Sequence, residues 1–345
     1  MTDRETRRLL LVVGIGRSGT SVFTGILGQL GWHVPQPEVQ ADDTNPRGFG
    51  EPQWVVDFHT GLLRSRRVTN MDSRPAANEL MDAVSDDPAV AARLRTWLDE
   101  QFGQSNNVVV KDPRIVWFLP LWRRCAEELG VEVSFATMLR YPTEVLTSAR
   151  RSYGTWQSDA SRAAAWVNVM LHTEQATRGA PRAFVRYDDL LTGWEAEIKR
   201  IAVPLQVPWL ADIPGDRRAA VDGFVDPSLR RSQLSWDHVD VPDNVRSMID
   251  TVWAQLTPLT APESDGPAVH TALDQSRATY QQFYADVEAL AHSSIHAAKQ
   301  RKGAAQSPSA RAKKPTLAKR VAQKVPPRYR RLVPVGVRRR LLGSR

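Results

Sequence analysis

Cysteine and long apolar runs are nearly absent from this sequence of 345 residues. The one cysteine, Cys125, excludes an intramolecular disulfide and favours a reducing compartment. No stretch of 18 apolar residues is present, so a transmembrane helix is not expected. The apolar residues Leu9–Ile15 are too few for most signal peptides, and no small-residue cleavage site follows them. We therefore expect a cytoplasmic protein.

Acidic residues are absent from one end of the chain. Residues Lys299–Arg345 contain 16 of the 46 basic residues and none of the 38 acidic ones. In the rest of the chain, the 38 acidic residues therefore outnumber the remaining 30 basic residues. The formal net charge of +8 therefore comes from this segment, and the rest lacks the basic balance of a nucleic-acid-binding domain. We expect residues 299–345 to be a disordered tail that binds a polyanion or holds the protein peripherally at the inner face of the membrane.

Short apolar runs alternate with amphipathic segments over the first two thirds of the chain. This alternation predicts an α/β fold, in which helices cover both faces of a parallel sheet and ligands bind at the carboxyl ends of the strands. Helical spacing over Asn244–Leu256 and Ala268–Ala298 predicts a helical C-terminal extension. We expect an α/β domain at 1–240 and the extension at 241–298, followed by the tail. The predicted strands are Leu9–Ile15, Val108–Val110, Val133–Leu139 and Ala183–Tyr187.

The turn after the first predicted strand has the glycines of a phosphate-binding loop. Residues 14–21 read GIGRSGTS, and the helix predicted to follow would direct backbone N–H groups at an anion. A Walker A loop is disfavoured, because Thr20 stands where that motif has lysine and Arg17 lies inside the loop. A dinucleotide fingerprint needs a second strand ending in an acidic residue, but Pro35 and Pro37 interrupt that region. An ordinary strand–turn–helix stays open as an alternative.

Two later segments carry charged and hydroxyl residues directly after predicted strands. Residues 108–114 read VVVKDPR, and residues 133–153 read VSFATMLRYPTEVLTSARRSY, with Ser148 eight residues after Arg140. Together with the first loop, these segments resemble the sulfotransferases that use 3′-phosphoadenosine 5′-phosphosulfate (PAPS). The resemblance spans about residues 9–191 and implies the P-loop-like architecture of that family. The Lys-Asp-Pro segment is most similar to the branch with the tyrosylprotein sulfotransferases and bacterial glycan-type enzymes.

The resemblance implies how the donor is bound. The first loop would hold the 5′-phosphosulfate, and Arg140 and Ser148 would hold the 3′-phosphate. Tyr187 matches the family's tyrosine on the adenine side, with core packing as its alternative. Val22 stands where cytosolic members have a tryptophan that stacks on the adenine, so another aromatic side chain would have to do so. The implied donor-binding residues are Arg17, Ser18, Gly19, Thr20, Ser21, Arg140, Ser148 and Tyr187.

Sulfuryl transfer needs fixed cations for the developing negative charge and a base for the acceptor hydroxyl. Arg17 and Lys111 are the candidate cations, and no metal ion is expected, since the reaction requires none. Glu51 resembles the catalytic glutamate of the tyrosylprotein branch and is the base that we expect. His59 and Asp112 remain alternatives for that role.

The expected function is transfer of a sulfuryl group from PAPS to a hydroxyl of a carbohydrate, glycolipid or polysaccharide precursor. Two other functions stay open. One is a catalytically inactive nucleotide-binding scaffold with a polyanion-binding tail, and the other is an atypical P-loop kinase. Leu229–Arg231 supplies two more arginines for contact with the donor or the acceptor.

Overall fold

The computed structural model describes residues 6–43, 45, 47–154, 157–226 and 235–306. These residues belong to two compact units that divide between Tyr284 and Ala285. The arginines of Leu229–Arg231 and the predicted tail beyond residue 306 lie outside the described residues, so what the sequence predicts for them stays a prediction.

Four parallel strands form one sheet in the described part of the first unit. They are β1 (Arg8–Val13), β2 (Asn107–Lys111), β3 (Glu132–Leu139) and β4 (Arg182–Arg186), in the spatial order β2-β1-β3-β4. Val12 pairs with Lys111 on one side and with Ala136 on the other, so the carboxyl ends of neighbouring strands lie side by side. The predicted strands and their parallel arrangement are confirmed, with ends that differ by one or two residues.

Eleven α-helices accompany the strands within the residues that the structure describes. They are α1 (Thr20–Gln29), α2 (Gln53–Ser65), α3 (Ala76–Ser85), α4 (Pro88–Phe102), α5 (Leu119–Glu128), α6 (Pro142–Tyr153), α7 (Asp159–Thr177), α8 (Tyr187–Ala202), α9 (Gly215–Phe224), α10 (Asp243–Leu256) and α11 (Pro267–Gln306).

Alternating side chains of the strands build one apolar core on each face of the sheet. On β1, Leu9, Leu11 and Val13 belong to one core, whereas Leu10 and Val12 belong to the other. Helices α2 to α7, α10 and the start of α11 supply the first core, and α1, α8 and α9 supply the second. The predicted α/β class, a parallel sheet covered by helices on both faces, is confirmed.

Four helices differ from what the sequence predicts, and two of them, α3 and α9, are not predicted at all. The apolar spacing of Ile198–Val207 predicts a helix there, but α8 begins at Tyr187, because the non-helical backbone of Gly193 (φ −157°, ψ 56°) breaks the apolar spacing inside it. Helix α9 buries Val221 alone and therefore lacks a periodic signal. Helix α11 reaches Gln306, eight residues into the segment expected to be a disordered tail.

Candidate active site

The loop between β1 and α1 requires glycine at two positions. Gly14 has a φ of 125° and Gly19 a φ of 98°, in the left-handed region that other residues rarely adopt. A Cβ at Gly14 would lie 3.0 Å from the carbonyl oxygen of Met138, and one at Gly19 would lie 2.2 Å from the ring of Tyr187. The loop therefore packs directly against the ends of β3 and β4.

Helix α1 begins at Thr20, directly after this loop. Its N-cap residue is Gly19, which has no side chain to accept hydrogen bonds from the first-turn N–H groups. The turn is closed by buried Ser18, whose Oγ donates to the carbonyl oxygen of Ile15 at 2.7 Å. First-turn N–H groups and the positive end of the helix dipole suit an anion. Residues 17–21 thus have the geometry of an anion-binding turn.

Arg17 and Arg140 meet beside this turn. Nε of Arg17 donates to Oγ of Ser148 at 3.1 Å, and Nη1 of Arg140 donates to the carbonyl oxygen of Arg17 at 3.1 Å. Glu144, 1% exposed, accepts a hydrogen bond of 2.8 Å from Nε of Arg140. Three predicted donor-binding residues therefore form one hydrogen-bonded group, although 131 positions separate Arg17 from Ser148.

Tyr187 lies under Arg140 and is almost completely buried. The Arg140 guanidinium lies 4.3 Å from the centre of its ring, and Gly19 packs against the ring edge. Desolvation raises the pKa of Tyr187, and the charge of Arg140 acts in the opposite direction. The ring supports the loop and the arginine; its contact with an adenine stays a prediction.

Lys111 connects the expected base to the loop. Its Nζ donates to Oε1 of Glu51 at 2.5 Å, to Oγ of Ser21 at 3.2 Å and to the carbonyl oxygen of Phe49 at 3.2 Å. Asn45 also donates to Ser21 Oγ, at 3.2 Å. Glu51 and Lys111 are both buried, so their ion pair is little screened by water. The structure thus brings together the predicted residues Glu51, Lys111 and Ser21.

His59, the first alternative base, is enclosed in the core. Its Nε2 accepts a hydrogen bond of 3.0 Å from Nε1 of Trp122, so the ring proton belongs on Nδ1, which lies 2.7 Å from Oδ2 of Asp112. The ring stacks on Phe118 with 4.6 Å between centres. Burial lowers the pKa of His59 and outweighs the opposing effect of Asp112. With both nitrogens engaged, His59 is not placed to take a proton from a substrate.

Asp112, the second alternative, is also fully buried. It accepts hydrogen bonds from Nδ1 of His59, from the backbone N–H of Arg114 at 3.1 Å and from Nη1 of Arg114 at 2.6 Å. Burial opposes its ionisation, but the His59 hydrogen bond and the Arg114 charge prevail and lower the pKa of Asp112. A carboxylate with these partners is a poor base.

Three residues without a role in the sequence analysis also border the site. Nη1 of Arg114 lies 3.8 Å from Oε2 of Glu51. Oη of Tyr153 and Nδ2 of Asn70 lie 3.5 and 3.8 Å from where a Cβ would stand at Gly16. Desolvation raises the pKa of Tyr153, and the charge of Arg17 acts against it. The sequence could have indicated Arg114, because it is a cation that closely follows a predicted strand. The position of Asn70 depends on the folding of a loop, which no local pattern indicates.

Three further findings concern metal ligands, membrane-spanning helices and the cysteine in the part of the chain that the structure describes. No group of three or more His, Cys, Asp or Glu side chains there is placed to hold a metal ion. No described helix has both the length and the apolarity to cross a membrane. Burial raises the pKa of Cys125 to about 11, so its thiol stays protonated and is a weak nucleophile.

Comparisons with known proteins give one structural likeness. No family model matches the chain, and a search of curated proteins finds no match. Among solved structures, the chain is similar to the sulfotransferase domain of the olefin synthase from Synechococcus PCC 7002. The two are 18% identical with a TM-score of 0.41, over 74% of this chain and 97% of that domain. A likeness at this level does not decide the chemistry, which depends on the residues at the strand ends.

Proposed function

We propose that this protein is a sulfotransferase that moves a sulfuryl group from PAPS to the hydroxyl of an acceptor. The observation that carries the proposal is the hydrogen-bonded cluster of Glu51, Lys111 and Ser21. In this cluster the Lys111 ammonium lies 2.5 Å from the Glu51 carboxylate and 3.2 Å from the hydroxyl of Ser21 in the anion-binding turn. A base, a charge-stabilising group and a binding loop are the parts that sulfuryl transfer needs.

The charges around the turn suit a phosphosulfate donor. Four cations converge there among the described residues, and three carboxylates partly neutralise them, so the site keeps an excess of positive charge. The first-turn N–H groups of α1 add donors that carry no formal charge. Thr20 supplies no ammonium for a triphosphate, which favours a donor other than ATP. The cations are Arg17, Lys111, Arg114 and Arg140, and the carboxylates are Glu51, Asp112 and Glu144.

The proposed transfer exchanges one sulfur–oxygen bond for another. The bond between sulfur and the 5′-phosphate oxygen breaks, a bond between sulfur and the acceptor oxygen forms, and the hydroxyl proton passes to Glu51. The products are adenosine 3′,5′-bisphosphate and a sulfate ester. Arg17 and Lys111 stabilise negative charge on the transferring group and the leaving phosphate, as fixed cations do in phosphoryl transfer. Arg17 keeps its charge at any working pH and can contact two oxygens at once.

We extend the proposal to acceptors that are carbohydrates, glycolipids or polysaccharide precursors. The support is the resemblance of the Lys-Asp-Pro segment to the glycan-type branch, and the polar side chains of Asn70 and Tyr153 at the loop. Polar side chains of this kind can orient the hydroxyl groups of such acceptors by hydrogen bonds. Attachment of the tail to an anionic membrane would keep the enzyme near lipid-linked acceptors.

Isothermal titration tests the proposal against a kinase and against a scaffold without transferase activity. We expect adenosine 3′,5′-bisphosphate to bind without magnesium and to protect the protein against thermal unfolding. We expect ATP with magnesium to bind far more weakly. Binding of ATP that requires magnesium, with no affinity for the bisphosphate, would contradict the proposal and favour a kinase. Bisphosphate binding with no donor turnover on any hydroxyl acceptor would favour the scaffold.

A further inference from the structure

A chain of buried polar contacts leads from the core to Glu51. Trp122 donates to His59, and His59 donates to Asp112, with all three residues fully buried. Asp112 accepts from both the backbone and the side chain of Arg114. The nitrogen that donates to Asp112, Nη1 of Arg114, also lies 3.8 Å from Oε2 of Glu51.

Apolar side chains would fill this part of the core at lower cost. Removing a histidine, a carboxylate and an indole N–H from water is unfavourable, and replacing such groups by packed apolar residues is often neutral or stabilising. Stability alone therefore does not account for these buried polar contacts, and we infer another role for them. The one member of the chain of contacts with appreciable exposure is Arg114, whose side chain is 24% exposed and lies at the candidate site.

The two oxygens of Glu51 have different surroundings. Lys111 donates to Oε1 at 2.5 Å, whereas Arg114 lies 3.8 Å from Oε2, beyond hydrogen-bond distance. Oε2 is therefore the oxygen that can receive a proton, and Arg114 limits rotation of the carboxylate away from this orientation. The cations that face Glu51 are Lys111 and Arg114 from the end of β2, and the neutral phenol of Tyr153 faces it from α6.

We propose that Arg114 is a positioning residue for Glu51, held in place by the buried chain Trp122–His59–Asp112. The inference rests on the proposed function, in which Glu51 takes the proton of the acceptor hydroxyl. Asp112 fixes Arg114 through one contact to its guanidinium and one to its backbone N–H, and the guanidinium holds the Glu51 carboxylate in the orientation that leaves Oε2 without a hydrogen-bond donor at close range. His59 contributes by its Nδ1–H alone and exchanges no proton with substrate.

A double-mutant cycle tests this chain of action on the full-length protein. The assay measures release of adenosine 3′,5′-bisphosphate from PAPS with water in place of the acceptor. Arg114→Ala should lower turnover on the order of tenfold or more in the wild-type background, and it should have under about twofold effect in the Glu51→Gln background. Arg114→Lys should restore part of the loss, because it keeps the charge. Arg66→Ala, an exposed arginine after α2, is the matched control and should change nothing.

Asp112→Asn provides the second, independent variant. It keeps the volume of the side chain but weakens its hold on Arg114, so its loss of turnover should not add to that of Arg114→Ala. Bisphosphate affinity, measured by titration, should stay at the wild-type value in Glu51→Gln and Asp112→Asn and fall only slightly in Arg114→Ala, which removes one of the four cations around the turn. Such values show that the fold and the donor site persist.

The outcomes separate this inference from the proposed function. Equal losses from Arg114→Ala in both backgrounds, or no loss in the wild-type background, overturn the positioning role while the transferase stands. A wild-type protein that neither binds the bisphosphate nor releases it from PAPS overturns the proposed function, and the inference with it. Additive losses from Asp112→Asn and Arg114→Ala contradict the part assigned to the buried chain.

Discussion

Two buried ionic networks lie at opposite edges of the same sheet. The reaction-edge network follows the carboxyl end of β2, and the far-edge network surrounds Arg182 at the amino end of β4. In the far-edge network, Glu174 accepts from Arg178 and Arg182, while Asp265 accepts from Arg182 through both oxygens, at 2.6 and 2.7 Å. The reaction-edge network consists of Trp122, His59, Asp112, Arg114, Glu51 and Lys111.

The difference lies in how completely the carboxylates are satisfied. Both oxygens of fully buried Glu174 accept hydrogen bonds of 2.6 to 3.2 Å, so that carboxylate has little capacity for a ligand or a proton. The Arg114 ion pair leaves Oε2 of Glu51 at a looser 3.8 Å. Buried charge alone therefore does not mark a functional site. An incompletely paired carboxylate at the carboxyl edge of a parallel sheet is the stronger candidate, because ligands bind at that edge.

The largest expected effect is that of Glu51→Gln on turnover. Removing the base should lower release of the bisphosphate from PAPS by about 10²–10⁴-fold, the usual size of general-base catalysis. Donor affinity should not fall, because Arg17 and Arg140 are untouched. Asp57→Asn, an exposed carboxylate on α2, is the control. A fully active Glu51→Gln protein would mean that another residue is the base.

The second effect should be confined to stability. Glu174→Gln removes the buried carboxylate that Arg178 and Arg182 share and leaves them only the more exposed Asp274 and Asp265, so it should cost about 1–3 kcal/mol in the free energy of unfolding. Urea unfolding measures this cost, and exposed Glu127→Gln should show almost none of it. Turnover of the folded fraction should match the wild type. A loss of turnover without a loss of stability would contradict the division between the two networks.

A third effect concerns donor affinity. Arg140→Ala removes one charge-assisted contact and should weaken bisphosphate binding by about 1.5–3 kcal/mol, with a smaller loss for Ser148→Ala. Titration calorimetry checks both. Arg151→Ala, which changes an exposed arginine on α6, the helix of Ser148, should bind normally. Unchanged affinity in both site variants, with the fold intact, would show that the 3′-phosphate is held elsewhere.

The sequence predicts the sheet and the edge that carries the candidate site, because apolar runs and strand-end residues are local signals. It does not predict which charges pair. Glu51 and Lys111 are 60 positions apart, and their contact depends on the path of the loop before α2. His59 and Asp112 are 53 positions apart, and their contact is equally non-local. The sequence leaves His59 open as a base, whereas in the structure it is a buried hydrogen-bond donor to Asp112. Tertiary packing, rather than local spacing, decides such roles.

The smallest effect is a pH dependence of stability. Burial lowers the pKa of His59, and it lowers the pKa of His172 to about 4. The unfolded chain therefore binds more protons than the folded one as the pH falls below about 6.5, and folding becomes less favourable. Each histidine contributes at most about 1.4 kcal/mol per pH unit. Urea midpoints at pH 7.5 and 5.5 should show this loss, and His172→Gln should reduce it. Equal midpoints would argue against neutral buried histidines.

Transfer of labelled sulfate tests the central claim most directly. The protein is incubated with PAPS carrying ³⁵S in its sulfuryl group and with an extract of the source cells, and label is followed into lipid, carbohydrate and protein fractions. We predict that the wild-type protein moves label into a hydroxyl-bearing fraction together with release of adenosine 3′,5′-bisphosphate. The Glu51→Gln protein should bind the donor and transfer at least about 100-fold less. Label that remains on the donor, or that moves equally with both proteins, would contradict a sulfuryl-transfer site at this edge of the sheet.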